Sequence, residues 1–298
     1  MRASAIGLIA LLASLTACDT GVGSTTRVFP NVNPSPAPSD THYNDQWALP
    51  LLSAREAWGI IESEEFSDSF DTAVVAVLDT MFDLDHPDLS GVIRVSDGWD
   101  FVDPSFTGFS ITDNPGSDDV DHGTHVAGII AAVNNSIGVS GIGKGLVEIM
   151  PVRVLNDQDK TDLSVVYTAI RYAAGLDSEA PRRPARPASV INLSLGAPPE
   201  GGLSSTDLEI FESLAKELQD RGVSVVAAAG NAEEGQPARS SVDLPALFPG
   251  ILAIGSIDKD KSRSSFSSYG QLLDFVAPGG FSSTGSGIWS TVYDGGSG

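Results

Sequence analysis

Cysteine and basic residues are scarce in this sequence. Its 298 residues include a single cysteine, so no disulfide can form within the chain. Lys and Arg together number 17 against 39 Asp and Glu, which gives a formal net charge of -22. This shortage argues against a nucleic-acid partner, because such binding needs clustered cations that displace counterions. The chain is 41% apolar, which is enough for a packed core and atypical of a disordered protein.

Long hydrophobic runs are also lacking. The run Ile6–Leu15 is too short to span a bilayer and, with Arg2 before it, predicts an export signal over residues 1–17. The segment Leu15–Cys18 resembles the bacterial lipoprotein processing box, which implies that Cys18 becomes the acylated first residue of the mature chain. An ordinary signal peptide with a chance cysteine is the alternative. We expect an exported protein that is either secreted or attached to the membrane only through a lipid on Cys18.

The segment 18–45 is rich in Pro, Ser, Thr and Asn, which predicts an extended linker and no folded prodomain. Residues 46–298 then alternate apolar runs with amphipathic stretches. Continuous apolar runs predict strands buried on both faces; they are Thr72–Leu78, Val147–Leu155, Val190–Leu195, Val223–Ala229 and Ile251–Ile257. The pattern predicts one α/β domain with a mainly parallel central sheet.

Two segments carry signals for the start of a helix. Ser53 precedes the short helical stretch Ala54–Trp58 and is a predicted N-cap. Apolar residues at helical spacing predict a longer helix over Thr206–Asp220. Thr206 and Glu209 form its predicted capping box, and Gly222 follows its end.

Three predicted strands end beside residues that can do chemistry, namely Asp79, Ser194 and Asn231. In parallel α/β sheets, active sites collect at the carboxyl ends of the strands. A rigid, desolvated carboxylate at Asp79 can orient an imidazole and stabilise its charged form. An aspartate in an ordinary turn is the alternative. The amide of Asn231 can donate to a developing oxyanion.

His122 opens the segment HGTHVAG, which predicts the first turn of a helix rich in small residues. Its near-neutral pKa suits a general base. His125 follows three positions later, which raises the alternative of a metal site. The pair lacks the i, i+4 spacing and the glutamate of a zinc-protease helix, so zinc is disfavoured.

The segments VAVLDT, HGTHVAG, VINLSLG and AAAGN occur in this order and together resemble the subtilisin-like serine proteases, peptidase family S8. The resemblance covers residues 46–298 and implies a three-layer α/β fold and endopeptidase activity on polypeptides. It assigns Asp79 to orient His122, His122 as general base and Asn231 as the oxyanion-hole amide. One departure is Met81, because the family usually has glycine two residues after the aspartate.

The resemblance also implies a substrate groove. Ser194, Leu195 and Gly196 would pair with the substrate backbone and form one wall of the S1 pocket, and Ala228, Ala229 and Gly230 would form the opposite wall. Alignment of Leu244-Pro245 places Asp243 near the floor of that pocket. A carboxylate there would favour Lys or Arg at the cleavage position, and an exposed loop aspartate is the alternative.

The segment Val133–Val139 matches the calcium loop of subtilisins. By that match, the ligands are the side chain of Asn135 and the carbonyls of Val133, Ile137 and Val139, with Asp88 and Gln46 completing the set. Oxygen ligands that include a carboxylate suit Ca²⁺. A turn stabilised by its own asparagine side chains is the alternative.

The family continues into a Gly-Thr-Ser motif that opens a buried helix, whereas this sequence ends at Gly298. Ser297 has no Thr before it and no helix after it, so we expect the C-terminal part of the fold, with the nucleophile, to be missing and this chain to show no turnover. The rival hypothesis is a lipoprotein that keeps the protease fold only to bind peptides. We expect a monomer.

Overall fold

The computed structural model describes residues 33–63, 71–102, 121–176, 180, 182–199, 202–232, 235–280 and 287–293. The predicted signal segment, Cys18 and Ser297 lie outside these ranges. A seven-stranded sheet in the order β2-β3-β1-β4-β5-β6-β7 forms the centre, and all of its strand pairs are parallel. The strands are β1 Ala73–Asp79, β2 Trp99–Asp100, β3 Val147–Arg153, β4 Val190–Leu193, β5 Ser224–Ala228, β6 Ile251–Ile257 and β7 Phe275–Pro278.

The helices pack on both faces of this sheet. They are α1 Ala48–Leu51, α2 Ala54–Ile61, α3 Asp121–Ala131, α4 Leu163–Ala173 and α5 Ser205–Asp220. One core cluster contains residues of α4 and α5, and the other contains residues of α1, α2 and α3. The predicted three-layer α/β fold is therefore confirmed.

Strand β1 belongs to the sheet, which is the middle layer of the fold. Its residues alternate between the two clusters, with Ala76 and Leu78 in the first and Val75 and Val77 in the second. A strand covered by helices on both faces has no polar side, which explains the unbroken apolar run. The five predicted strands all exist, and their bounds differ from the predictions by at most two residues at either end.

Both predicted helix caps are wrong in detail. Ser53 precedes α2, but it has a left-handed φ of 54° and its side chain makes no capping hydrogen bond. Helix α5 begins at Ser205, and its cap is Ser204, whose Oγ accepts from the Asp207 backbone N at 3.0 Å. Thr206 is consequently inside the first turn. Gly222 does follow the helix, with a φ of 69° that suits glycine.

Within the described ranges, no helix combines the length and the apolar character needed to cross a bilayer.

Candidate active site

Three neighbouring strands end at one edge of the sheet with the residues singled out above. Asp79 is the last residue of β1, Ser194 follows β4, and Asn231 lies shortly after β5. Because β1, β4 and β5 are adjacent and parallel, their carboxyl ends share this edge. Strand β1 pairs with β3 on one side and with β4 on the other, so the strand order reverses direction at β1. Such a topological switch point is where parallel α/β sheets bind ligands.

Asp79 and His122 are joined by a short hydrogen bond. Asp79 Oδ1 and His122 Nδ1 are 2.6 Å apart, and the side chain of Asp79 is fully buried. The same carboxylate oxygen accepts from the Thr80 backbone N at 2.8 Å. The structure therefore brings together the two residues that the sequence paired, although 43 positions separate them.

The chemistry of this contact fixes the histidine tautomer. A carboxylate can only accept, so His122 Nδ1 must carry the proton. In the neutral imidazole the buried Nε2 then holds the lone pair. The arrangement leaves His122 able to take up a proton at Nε2 while Asp79 faces the imidazolium that results.

The start of α3 is fastened to the loop after β1. Gly123 N donates to Thr80 Oγ1 at 3.0 Å, and Asp83 N donates to Thr124 Oγ1 at 2.9 Å. A Cβ on Gly123 would lie 2.5 Å from the carbonyl oxygen of Met81, so only glycine permits this approach. Met81 itself is buried, and its φ is outside the left-handed region. The unusual methionine is therefore accommodated without backbone strain.

The second histidine of the motif has a separate environment. His125 Nε2 lies 3.1 Å from the carbonyl oxygen of Ile288, to which it must donate. The hydroxyls of Ser290 and Thr291 donate to the carbonyls of His125 and Thr124 at 2.6 and 2.7 Å. The segment 287–293 is thus bound along α3, and the two histidines face different partners.

The predicted pocket walls converge on the segment around Asp243. Asp243 N donates to the carbonyl of Ala229 at 2.9 Å, and Leu244 exchanges two backbone hydrogen bonds with Ala197, at 2.9 and 3.0 Å. Both walls also approach through glycine. A Cβ on Gly196 would lie 3.4 Å from Asp243 Cβ, and one on Gly230 would lie 2.2 Å from Asp243 Oδ2.

The remaining residues of the two predicted pocket walls lie beside these contacts with Asp243 and Leu244. Ser194, Leu195, Ala228 and Ala229 are buried. Ser194 Oγ accepts from the side chain of Asn192 at 3.0 Å. Asn231 is partly exposed and forms an isolated backbone bridge with Ser267.

Asp243 is buried and ion-paired, not an exposed loop residue. Its side chain is 3% exposed, and its two oxygens lie 2.8 and 2.5 Å from Arg239 Nη2. Burial raises the pKa of the Asp243 carboxyl above its usual range, and the charge of Arg239 partly offsets this. Arg239 was not predicted from the sequence. Its position four residues before Asp243 was the available signal, but a loop has no fixed geometry that would make such spacing informative.

The segment 133–139 wraps around the carboxylate of Asp88. Val139 N donates to Asp88 Oδ2 at 2.8 Å, and Val133 N donates to the Asp88 carbonyl at 2.8 Å. A Cβ on Gly138 would lie 2.2 Å from Asp88 Oδ2, so this turn requires glycine. Asp88 Oδ1 is buried and, within the described residues, has no hydrogen-bond partner.

A second buried carboxylate, Asp40, lies at the same loop, although residues 18–45 were predicted to form an extended linker. Asp40 Oδ1 accepts from the backbone N of Asn135 and Ser136 at 2.9 and 2.8 Å. Burial, followed by the negative charge of Asp40, raises the pKa of Asp88. Two neighbouring buried acids and an orphaned carboxylate oxygen fit a hard cation such as Ca²⁺.

The side chains of two other predicted ligands, Asn135 and Gln46, already make hydrogen bonds within the protein. Asn135 Oδ1 accepts from Ile137 N at 3.1 Å, as in the asparagine-stabilised turn that was the alternative reading. Gln46 binds both backbone groups of Ser140, with Oε1 accepting at 2.7 Å and Nε2 donating at 2.9 Å. The Gln46 side chain therefore already has a structural task beside the loop.

Known proteins resemble this chain in sequence and in fold. The Peptidase_S8 (subtilase) family model matches residues 71–298. Thermitase from Thermoactinomyces vulgaris is 35% identical over 244 residues, which cover 81% of this chain and 73% of thermitase. Subtilisin NAT from Bacillus subtilis subsp. natto is 37% identical over 69% of this chain, and the match spans 46% of that relative.

A solved structure of a protease from Pseudoalteromonas arctica is also similar. It superposes with a TM-score of 0.66 at 28% identity, and the match covers 87% of this chain and 80% of that protein. The resemblance therefore extends from short motifs to the family model, alignments over 69–81% of the chain and three-dimensional structure. The chain belongs to the subtilase family of serine proteases.

Proposed function

We propose that this protein is a serine endopeptidase in which His122 is the general base and Asp79 is the residue that orients it. The observation that carries the proposal is the 2.6 Å contact between Asp79 Oδ1 and His122 Nδ1 at the switch point of the sheet. A buried carboxylate in this position keeps the imidazole in the tautomer that has its lone pair on Nε2, the atom that accepts the proton in the reaction.

The proposed reaction uses these groups in sequence. His122 Nε2 removes the proton from a serine hydroxyl as its oxygen attacks the scissile carbonyl. Asp79 stabilises the imidazolium that forms, and His122 then gives the proton to the leaving amine. The side-chain amide of Asn231 donates to the oxyanion of the tetrahedral intermediate.

The proposed substrate is an extended polypeptide. Its backbone would pair as an added strand with Ser194–Gly196, and its P1 side chain would enter between that segment and Ala228–Gly230. The convergence of both segments on Asp243 supports this assignment, because two walls and a common floor define a pocket.

A calcium ion at the loop is part of the proposal. Asp88, Asn135 and the carbonyls of Val133, Ile137 and Val139 would hold it, with Asp40 as a nearby acid and Gln46 ordering the loop through Ser140. The ion would neutralise two buried carboxylates and stiffen the connection after α3.

Export with lipidation at Cys18 also remains a proposal. Its test is mass spectrometry of the N-terminus of the protein made in a bacterial host with a lipoprotein pathway. A diacylglyceryl-modified Cys18 that disappears in C18S supports the anchor. Cleavage elsewhere by an ordinary signal peptidase contradicts it.

The catalytic proposal needs a test that includes the nucleophile. The reading frame downstream of codon 298 is sequenced, and the protein carrying any Gly-Thr-Ser motif found there is assayed on casein and on chromogenic peptides. Turnover that is blocked by a serine-directed inhibitor and abolished in H122A supports the proposal. Peptide binding without turnover in that protein favours the non-catalytic rival.

A further inference from the structure

The floor of the proposed S1 pocket already contains a cation. The guanidinium of Arg239 contacts both carboxylate oxygens of Asp243, at 2.8 and 2.5 Å, through its Nη2 atom alone. The side chain of Asp243 is 3% exposed and that of Arg239 is 26% exposed. The buried carboxylate is thus already paired with the guanidinium of a partly exposed side chain.

Asp243 has little freedom to turn away from this partner. Its backbone N donates a hydrogen bond to the carbonyl of Ala229. Its Oδ2 lies 2.2 Å from the position that a Cβ on Gly230 would take. Gly230 has a φ of 104°, which side chains rarely adopt, so the backbone at this wall keeps the space that the carboxylate fills. Any exchange of partners therefore has to move Arg239.

Arg239 is itself held in place by the loop. Its carbonyl accepts from Tyr269 N at 3.0 Å, which ties its backbone to the segment after β6. Its Nε is buried and has no hydrogen-bond partner among the described residues. The side chain is therefore partly desolvated over the Asp243 carboxylate, where an ion pair is stronger than on an open surface.

We propose that Arg239 is a specificity-determining residue of this protease, whose guanidinium occupies the place that a P1 Lys or Arg would take on Asp243. This inference rests on the proposed S1 pocket. A substrate cation would put a second positive charge beside one buried carboxylate that is already paired, which is unfavourable. The intact protein therefore selects uncharged P1 side chains, and loss of Arg239 converts the pocket to one that accepts cations.

The test uses benzamidine, a planar cation that pairs with a carboxylate as a P1 arginine does. Its binding to the wild-type chain, R239A, R239K and R239A/D243N is measured by ligand-observed NMR, with circular dichroism as the check on folding. We expect roughly tenfold or tighter binding to R239A than to wild type, from a newly available charged hydrogen bond. R239K and the double variant should lose this gain.

Lys216→Ala is the matched control, because Lys216 also pairs with an acid four residues away, Asp220, but on the exposed surface. If R239A unfolds, R239Q keeps a donor for Asp243 while removing the charge, and it should show the same gain. A folded R239A or R239Q without the gain overturns the inference. So does wild-type binding that depends on Asp243.

The readout requires no catalysis. A negative result with benzamidine would leave the cleavage assay unaffected, and an absence of cleavage would leave the binding assay unaffected. The two proposals therefore fail separately.

Discussion

The hydroxyl of Thr80 accepts a hydrogen bond of 3.0 Å from the backbone N of Gly123. Thr80 immediately follows Asp79 in the chain, and Gly123 immediately follows His122. The contact therefore joins the end of β1 to the first turn of α3 directly beside the candidate acid–base pair. The separation between the carboxylate and the imidazole is therefore set by backbone anchors as well as by the hydrogen bond between them.

Replacement of Asp79 by asparagine should disable the histidine without removing it. The amide in D79N can donate to Nδ1, which favours the wrong tautomer, and kcat is expected to fall about 10⁴-fold in protein that cleaves peptides. In the chain alone, ¹⁵N NMR of His122 should show the proton moving to Nε2. Asp85 is an exposed acid on the same loop, so D85N serves as the control. An unchanged tautomer in D79N would contradict the assigned role.

The calcium proposal predicts a thermal shift that depends on Asp88. Millimolar calcium should raise the Tm of the wild-type chain relative to EDTA, because an ion that binds only the folded state stabilises it by mass action. D88N should respond much less, and D85N should respond as wild type does. Identical melts of the wild-type chain in calcium and EDTA would count against the site.

Two glycines with left-handed φ provide a matched pair for the loop. Gly138 has a φ of 49° and faces the Asp88 carboxylate, whereas Gly145 has a φ of 78° and open space around it. G145A should cost about 1–2 kcal/mol of unfolding free energy, the strain of the left-handed conformation alone. G138A should cost more and should also lose the calcium response. Equal losses in chemical denaturation would contradict the contact with Asp88.

The cap of α5 can be tested by two alanine substitutions. S204A should lower the free energy of unfolding by about 1 kcal/mol, since it removes the acceptor for Asp207 N. T206A lies inside the helix and should change stability little, because alanine is a better helix former than threonine. Urea denaturation of both variants makes the comparison. A larger loss in T206A would restore the capping box predicted from the sequence.

Alkaline stability should depend on Tyr172. Its hydroxyl donates to the Asp97 carbonyl at 2.9 Å, and burial raises the pKa of Tyr172 to about 12. The folded state therefore retains the proton after the unfolded state has released it. This contribution is complete below a pH of about 10 and is lost as the pH rises to about 12, by roughly 3 kcal/mol.

The variant Y172F removes the ionisable hydroxyl and therefore isolates its contribution to alkaline stability. The variant should lose about 1 kcal/mol at neutral pH with the hydrogen bond, yet its stability should fall less steeply between pH 10 and 12. Parallel slopes of the two proteins in that range would rule out the assigned ionisation.

Five of the seven strands were predictable, because burial on both faces leaves a continuous apolar signal. The short strand Trp99–Asp100 was not predicted, since two residues carry no periodicity. Phe275–Pro278 was not predicted either; it is a short edge strand in which only the last two residues are buried. The α5 cap was ambiguous for a different reason. Ser204 and Thr206 each have an acid three residues later, and only the folded chain shows that the helix begins at Ser205.

Asp79 and His122 could be paired from the sequence because motifs mark both residues. Arg239 and Asp40 have no such motif. Their partners, Asp243 and the loop at Asn135, are identified only by the folded chain, which decides which charges are buried together. Contacts of this kind depend on tertiary packing, and local propensity contains no information about them.

The central position of β1 also affects how the chain is made. Ala73 pairs with Val147 and Val75 with Val190, both of which follow it by whole strands and helices. At a synthesis rate of about 5–20 residues per second, β1 leaves the ribosome roughly 4–15 seconds before its first neighbour along this register. During that interval an apolar strand has neither edge covered. Folding of this protein should accordingly be slow and dependent on non-local contacts, and nascent chains that stop before β3 should be targets for chaperones.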